Sequence, residues 1–228
     1  MTSIKLSKRL NEIAKLVNKD SILADVGCDH ALLDIYLIQN KIIKKSVACD
    51  ITTGALDGAK KNLLLNNISD NKIELRLADG LTAINKEDKI DTLVISGLGN
   101  QKIVSILKDG YSKLENINCI IIQSNTGVYH IRRQLIELGY YIEDEVLIKE
   151  RNIIYTIIKF YKGKKRYSKK EILYGPILIN KQGRLFEELL KNKINKNNYV
   201  IKKLPKNKII KKVKLKLENK KIKNVIKH

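Results

Sequence analysis

The chain has 228 residues, 43% of them hydrophobic, and a formal charge of +21. That length suits one α/β domain with a smaller appendage, and no uncharged apolar run reaches the roughly 18 residues that a membrane-spanning helix needs. Three cysteines (Cys28, Cys49, Cys119) and three histidines (His30, His130, His228) are scattered without zinc-ligand spacing, so no metal is expected.

Leu6, Leu10, Ile13, Ala14 and Val17 recur at helical spacing, which predicts an opening helix. The residues before it, Met1-Thr2-Ser3-Ile4-Lys5, carry no apolar signal core; with the few thiols this points to the cytoplasm. A short apolar strand follows at Ser21–Val26, then a helix over 31–39 and a strand over 46–49 that runs into Asp50. Leu56, Ala59 and Leu63 mark the next helix, and 73–78 the next strand, which ends at Asp79-Gly80. A buried strand over 92–95 leads into Ser96-Gly97-Leu98-Gly99, with a helix at Ile103, Ile106 and Leu107. A strand over 119–123 and a helix over 130–138 complete five alternations, the pattern of a parallel sheet covered by helices on both faces. Two β-rich runs then come in succession, 141–149 and 153–161, with Glu150-Arg151-Asn152 between them, and read as a hairpin. A hairpin closing a doubly wound sheet resembles the layout of the class I methyltransferases.

Gly163-Lys164-Lys165-Arg166 reads as a linker. Beyond it, apolar residues from Ile172 to Ile194 and from Ile209 to Val225 predict two helices, with the turn at 195–205 and an antiparallel hairpin as the pairing. Two units are therefore expected, 1–162 and 163–228. Residues 161–228 carry 23 Lys and Arg against 4 Asp and Glu, a net of +19, whereas residues 1–160 carry a net of +2. A bias toward Lys, Ile and Asn runs through the whole chain, yet it leaves the first 160 residues nearly neutral. A tail this basic implies a nucleic-acid partner, because each phosphate it neutralises releases a condensed counterion.

The turn Ala24-Asp25-Val26-Gly27-Cys28-Asp29-His30-Ala31 follows the first strand. Gly27 permits a tight turn and a close approach of ligand to backbone. A dinucleotide fold would place G-x-G-x-x-G here, and only Gly27 is present. S-adenosylmethionine has no phosphate to cradle, and its sulfonium and amino groups suit the carboxylate of Asp25. Asp50 stands where a carboxylate can accept both ribose hydroxyls, and Asp79 where one can accept an adenine amine. Gly97 lets a flat substrate approach the backbone. Any one of these Asp residues can equally cap a helix or close a turn; together they mark the crevice at the C-terminal strand ends of an open sheet.

The chain resembles the bacterial tRNA (adenine-22-N1) methyltransferases over its full length. The resemblance rests on Leu6-Ser7-Lys8-Arg9-Leu10, the Asp25-to-Ala31 turn, Ile51-Thr52, Asp79-Gly80-Leu81 and Gly97-Leu98-Gly99. It continues in Gln123-Ser124-Asn125, His130-Ile131-Arg132, Asp144-Glu145 and Gly175-Pro176. Asp50 stands where the family more often has Glu, Ser96 and Asn100 flank the glycine turn where small residues are usual, and Ser124 replaces a proline. The resemblance implies a Rossmann-like class I methyltransferase domain and a C-terminal α-helical, coiled-coil-like domain. It implies S-adenosyl-L-methionine as cofactor, held by Asp25, Gly27, Asp50, Ile51, Asp79, Gly80 and Gly97. The partner it implies is tRNA, methylated at N1 of adenine 22; a monomer is expected.

N1 of a paired adenine is reached only by extruding the base. Its attack on the methyl group needs no covalent intermediate, so rate comes from positioning the two ligands. The ring gains positive charge, which a carboxylate stabilises. Asp29 is the expected carboxylate, accepting from the N6 amine, with helix capping as its alternative role. Asn125 is expected to bond the flipped base, with loop capping as its alternative. His30 is expected to support the turn, and Tyr129 either stacks on a base or packs. An rRNA or small-molecule methyltransferase and a non-catalytic RNA-binding protein are the rival readings.

Overall fold

The computed structural model describes residues 4–226. Met1, Thr2, Ser3 and His228, used above in reading the opening segment and the histidine spacing, lie outside the described residues. Helix α1 (Lys8–Leu16) is capped by Ser7, whose Oγ accepts from the Leu10 N–H at 3.2 Å. Five strands and four helices follow: β1 (Ser21–Val26), α2 (Leu32–Gln39), β2 (Ile43–Asp50), α3 (Thr53–Leu65), β3 (Ile73–Leu77), β4 (Thr92–Leu98), α4 (Asn100–Asp109), β5 (Cys119–Ser124) and α5 (Val128–Glu137). The expected alternation lapses once, between β3 and β4, where short 3-10 turns at Gly80–Ala83 and Lys86–Asp88 stand in place of a helix. The expected hairpin follows as β6 (Tyr140–Glu150) and β7 (Ile153–Lys162). Its loop is only Arg151 and Asn152, at φ 47° and 64°, the double left-handed turn that matches strand twist.

The sheet order is β3-β2-β1-β4-β5-β7-β6, parallel except for β7, which runs antiparallel to both of its neighbours. The order reverses between β1 and β4, so their C-terminal ends border the crevice of a doubly wound sheet. Alternate side chains of these strands serve opposite faces. Ala24, Val26, Leu93 and Ile95 join the core under α4 and α5, whereas Leu23 and Val94 join that under α1 and α2. Each of these Val, Leu and Ile side chains, removed from water, contributes about 1.5–3 kcal/mol. No helix among the described residues is long and apolar enough to cross a membrane.

The tail departs from the expectation. The helix read over 172–194 is three helices: α6 (Lys169–Tyr174), α7 (Pro176–Lys181) and α8 (Arg184–Lys203). Gly175 at φ 95° and Gly183 at φ 111° break it, and Pro176 opens α7, where its missing N–H costs nothing. The turn expected at 195–205 also comes later. Helix α8 continues through it because buried Asn197 donates to Asn219 Oδ1 at 2.9 Å and Glu218 Oε2 at 3.0 Å on α9 (Ile209–Ile226). Phe186 and Leu190 of α8 meet Ile222 and Val225 of α9, so the two helices run antiparallel, as expected.

This hairpin is anchored to the sheet. Leu147 of β6 packs against its apolar seam. Glu145 of β6 accepts from Arg132 Nε at 2.7 Å and from the Ile177 N–H at 3.1 Å, while Arg132 Nη1 donates to the Ile172 and Leu173 carbonyls at 3.3 and 3.4 Å. A Cβ on Gly175 would lie 2.5 Å from Glu145 Oε2. The described part of the tail, residues 163–226, therefore does not hang from the sheet by a linker alone.

Candidate active site

A cleft of about 360 Å³ opens at the switch point between β1 and β4. Of the expected site residues, Asp25, Gly27, Asp29, Asp50 and Gly97 line it, joined by Arg9, Cys28, His30 and Thr52. Ile51, Asp79, Gly80 and Asn125 lie outside its lining. Asp79 follows β3, 65% exposed and paired with Lys102 Nζ at 2.9 Å. Gly80 is buried at φ 60°, against Ile106, and Ile51 is 59% exposed beside Asp50.

The turn after β1 is unusual in its backbone. Gly27 (φ 77°), Asp29 (φ 52°) and Ala31 (φ 53°) all sit in the left-handed region. Such a conformation suits glycine and costs an L side chain on the order of 1 kcal/mol or more, less for Asp than for Ala. The turn is fixed by the Gly27 and Cys28 N–H groups, which both donate to the Cys49 carbonyl, at 2.9 and 3.0 Å. Ala31, not Asp29, is the cap residue of α2, and no side chain caps that helix. The Asp29 carboxylate is 78% exposed at the cleft, with His30 Nε2 3.6 Å from its Oδ1. Helix capping therefore does not account for Asp29. The His30 ring occupies the space that a side chain on Gly58 would take, and its carbonyl accepts from Asn62 Nδ2 at 3.0 Å, so it braces the turn against α3.

Asp50 partly fulfils the turn-closing alternative. Its Oδ1 accepts from the N–H and Oγ1 of Thr52, both at 2.9 Å, and among the described residues Oδ2 has no hydrogen bond. Asn125 bridges two strand ends: Nδ2 donates to the Gly97 carbonyl at 2.6 Å and Oδ1 accepts from Gln123 Nε2 at 3.2 Å. Of its two amide N–H groups, that bond uses one. Tyr129 lies edge-on against His130, ring centroids 5.3 Å apart. Asn100 and Ser124 serve the neighbouring loop, bonding Thr126 Oγ1 at 2.9 Å and the Thr126 carbonyl at 2.6 Å.

Sequence reading missed three residues here. Arg9 reaches from α1 to donate to Gln123 Oε1 at 2.5 Å, with its guanidinium 5.6 Å from the Tyr155 ring centre. Gln123 Oε1 also accepts from the Gly97 N–H at 2.9 Å, so Arg9, Gln123 and the glycine turn form one network. Asp34, on α2, is fully buried, as is Asp25 at 3% exposure. Burial and the neighbouring carboxylate push Asp25 well above the usual carboxylate range, and burial lifts Asp34 to about 6. Buried in the same region, the Cys49 thiol is pushed up to about 12, and Cys28 higher still. Both keep their protons and are poor nucleophiles. Among the described residues no group of three or more His, Cys, Asp or Glu is placed to hold a metal ion.

A protein-family model described as TrmK, tRNA (adenine(22)-N(1))-methyltransferase, matches residues 23–228. The Bacillus subtilis tRNA (adenine(22)-N(1))-methyltransferase is 31% identical over 192 residues, 82% of this chain and 80% of that protein. The crystal structure of a Streptococcus pneumoniae protein in complex with S-adenosyl-L-methionine superposes with a TM-score of 0.90 at 29% identity, covering 97% of this chain and 100% of that one. The M. capricolum TrmK bound to S-adenosyl-homocysteine gives a TM-score of 0.87 at 34% identity, covering 97% and 98% of the two chains. The chain therefore belongs to the tRNA (adenine(22)-N(1))-methyltransferase family.

Proposed function

We propose that this chain transfers the methyl group of S-adenosyl-L-methionine to N1 of adenine 22 in tRNA, acting as a cytoplasmic monomer. The observation that carries the reading is the cleft at the switch point, where three carboxylates, Asp25, Asp29 and Asp50, converge on a strained glycine turn. This donor set fits the methyl donor, which is cationic at both its sulfonium and its amino group. Asp25 is buried at the foot of this cleft, and among the described residues its Oδ1 has no hydrogen-bond donor, so no protein cation or N–H already neutralises that oxygen. The cofactor supplies an activated methyl group; the protein supplies position and charge.

In this reading Asp25 faces the amino end, and the Asp50 carboxylate takes the ribose hydroxyls through the oxygen that Thr52 leaves free. Gly27 and Gly97 admit the ligands close to the backbone. Asp79, Gly80 and the exposed face of Ile51 flank the adenine ring at the rim. Asp29 accepts from the N6 amine of the flipped base and offsets charge growing on the ring. The second N–H of Asn125 is available to the same base.

We further assign tRNA binding to a second, coiled-coil-like unit, residues 163–228, beside a methyltransferase unit of 1–162. Its 22 Lys and Arg against 4 Asp and Glu, a net of +18, support this, as do the exposed Lys206, Lys208, Lys211 and Lys214 near the hairpin tip. Incubating the protein with labelled S-adenosyl-L-methionine and a tRNA transcript tests the whole reading. Label should enter the tRNA as 1-methyladenosine; no label in the tRNA, with rRNA labelled in a parallel incubation or not, contradicts it.

A further inference from the structure

Beneath the cleft lies a polar cluster that the transfer reaction itself does not use. Asp34 is the one charged residue of α2, and it points into the interior against β1 and β2. Its Oδ1 accepts from the Ser46 hydroxyl in a short hydrogen bond. Among the described residues its Oδ2 has no partner, and neither does Oδ1 of Asp25, which stands next to the end of β1 and lines the cleft. One carboxyl oxygen is thus left over on each of two adjacent, fully buried acids. Two carboxylates this close cannot both ionise without a cation. A single proton placed between them satisfies both leftover oxygens at once, since a protonated carboxyl donates and its neighbour accepts.

We propose that Asp25 and Asp34 share one proton in the unliganded cleft, and that Asp25 gives up this proton to solvent when it takes the cationic amino group of the methyl donor. Asp34 is then a positioning residue: it never touches cofactor, but it fixes the orientation and charge of the residue that does. The inference rests on the assignment of Asp25 to the cofactor's amino end. The balance is simple. The pair carries one negative charge before binding and two after it, the arriving ammonium brings one positive charge, and one proton leaves.

Other groups facing the pair do not replace this proton source. On β2, Cys49 and Cys28 beyond the turn hold their protons because burial raises both thiols. Asp50 on β2 adds a further negative charge nearby, which strengthens retention of the shared proton. Asp29 and His30 on the turn and Arg9 on α1 border the same cleft, while α3 and β4 contribute only Thr52, Ala55, Ser96, Gly97 and Leu98 to its lining.

The test is calorimetric titration of the full chain with S-adenosyl-homocysteine, which keeps the amino group. Titrations at one pH in two buffers of unlike ionisation enthalpy count the protons released. The wild type should release up to one proton, and its affinity should rise by as much as about tenfold per pH unit while release is under way. Asp34→Asn, whose amide can donate to Asp25, should bind with little release and a flat pH profile. If Asp34→Asn does not fold, the wild-type proton count decides alone. Absence of release in the wild type, with Asp25→Asn still weakening binding, overturns the shared proton and leaves the assignment of Asp25 intact. Undiminished release in Asp34→Asn overturns it as well. Wild-type affinity in Asp25→Asn overturns the assignment of Asp25 and the inference together.

Discussion

Arg132 Nε lies 2.7 Å from Glu145 Oε1 with 3% and 0% of the two side chains exposed. The pair ties α5 and β6 of the sheet domain to the segment that launches the C-terminal helices. Removing one partner strands the other charge in the interior, a change that costs about 3–5 kcal/mol. Glu145→Gln should therefore lower stability to chemical denaturant by several kcal/mol and open the chain to proteolysis near residues 163–168. Gly175→Ala should act in the same direction, since its Cβ would collide with Glu145 and its φ of 95° disfavours alanine. A variant with unchanged midpoint and unchanged cleavage would show that the tail is held elsewhere.

Asp29 offers a clean separation of backbone from chemistry. Asn tolerates the left-handed region as Asp does, so Asp29→Asn leaves the turn intact. Its single-turnover rate with saturating tRNA and cofactor should fall by about tenfold or more, with both affinities near normal, the mark of an interaction made in the transition state. Asp29→Gly relaxes the backbone and removes the carboxylate, so it should be at least as stable as the wild type and equally slow. A near-normal rate in both would remove Asp29 from catalysis.

At Asp50 the prediction concerns cofactor alone. Asp50→Ala should weaken S-adenosyl-homocysteine binding by about 1–3 kcal/mol, because the ribose hydroxyls lose their acceptor. Unchanged affinity by calorimetry would reduce Asp50 to its bonds with Thr52.

The buried acid pair also sets a pH dependence of stability. Asp34 is lifted from an ordinary 3.8 to about 6 in the folded protein. A raised carboxyl favours the folded state fully below its unfolded pKa, and that contribution is lost as pH rises through the folded value. The Tm of the wild type relative to Asp34→Asn should therefore decline between about pH 4 and pH 6 and lie flat below. A rise across that window would contradict the burial of an uncompensated acid.

Much of this was readable in the residues because four of the five parallel strands lead into helices, and Asp25, Gly27, Asp29, Asp50 and Gly97 stand at or just beyond strand ends. The hairpin's boundaries were nearly right for the same reason: Arg151 and Asn152 interrupt two β-rich runs. The tail was misread where apolar spacing outweighed Gly175-Pro176 and Gly183, and where Asn197 looked like a turn residue but is bonded across the hairpin. Arg9 was read as part of the Leu6–Leu10 motif and given no place in the site, because the apolar repeat of α1 explains that helix without it. Asp34 left a signal that was not used: it is the one acid in Leu32–Gln39, a segment apolar all round, so the acid must go inside with it.

If the lysines of the hairpin tip meet phosphate, replacing Lys206, Lys208, Lys211 and Lys214 with Gln should weaken tRNA binding and flatten its salt dependence. The log–log slope should shrink by close to one unit for each phosphate that is no longer neutralised. Cofactor affinity should not change. A slope equal to that of the wild type would move the RNA surface away from the hairpin tip.

The most direct measurement is methyl transfer to two tRNA transcripts that differ only at position 22, one with adenine and one with guanine, followed by nuclease mapping of the label. Stoichiometric 1-methyladenosine at position 22 of the first transcript, with no label in the second, is the predicted result. Equal labelling of both transcripts, or label mapping to another nucleotide, would contradict the account.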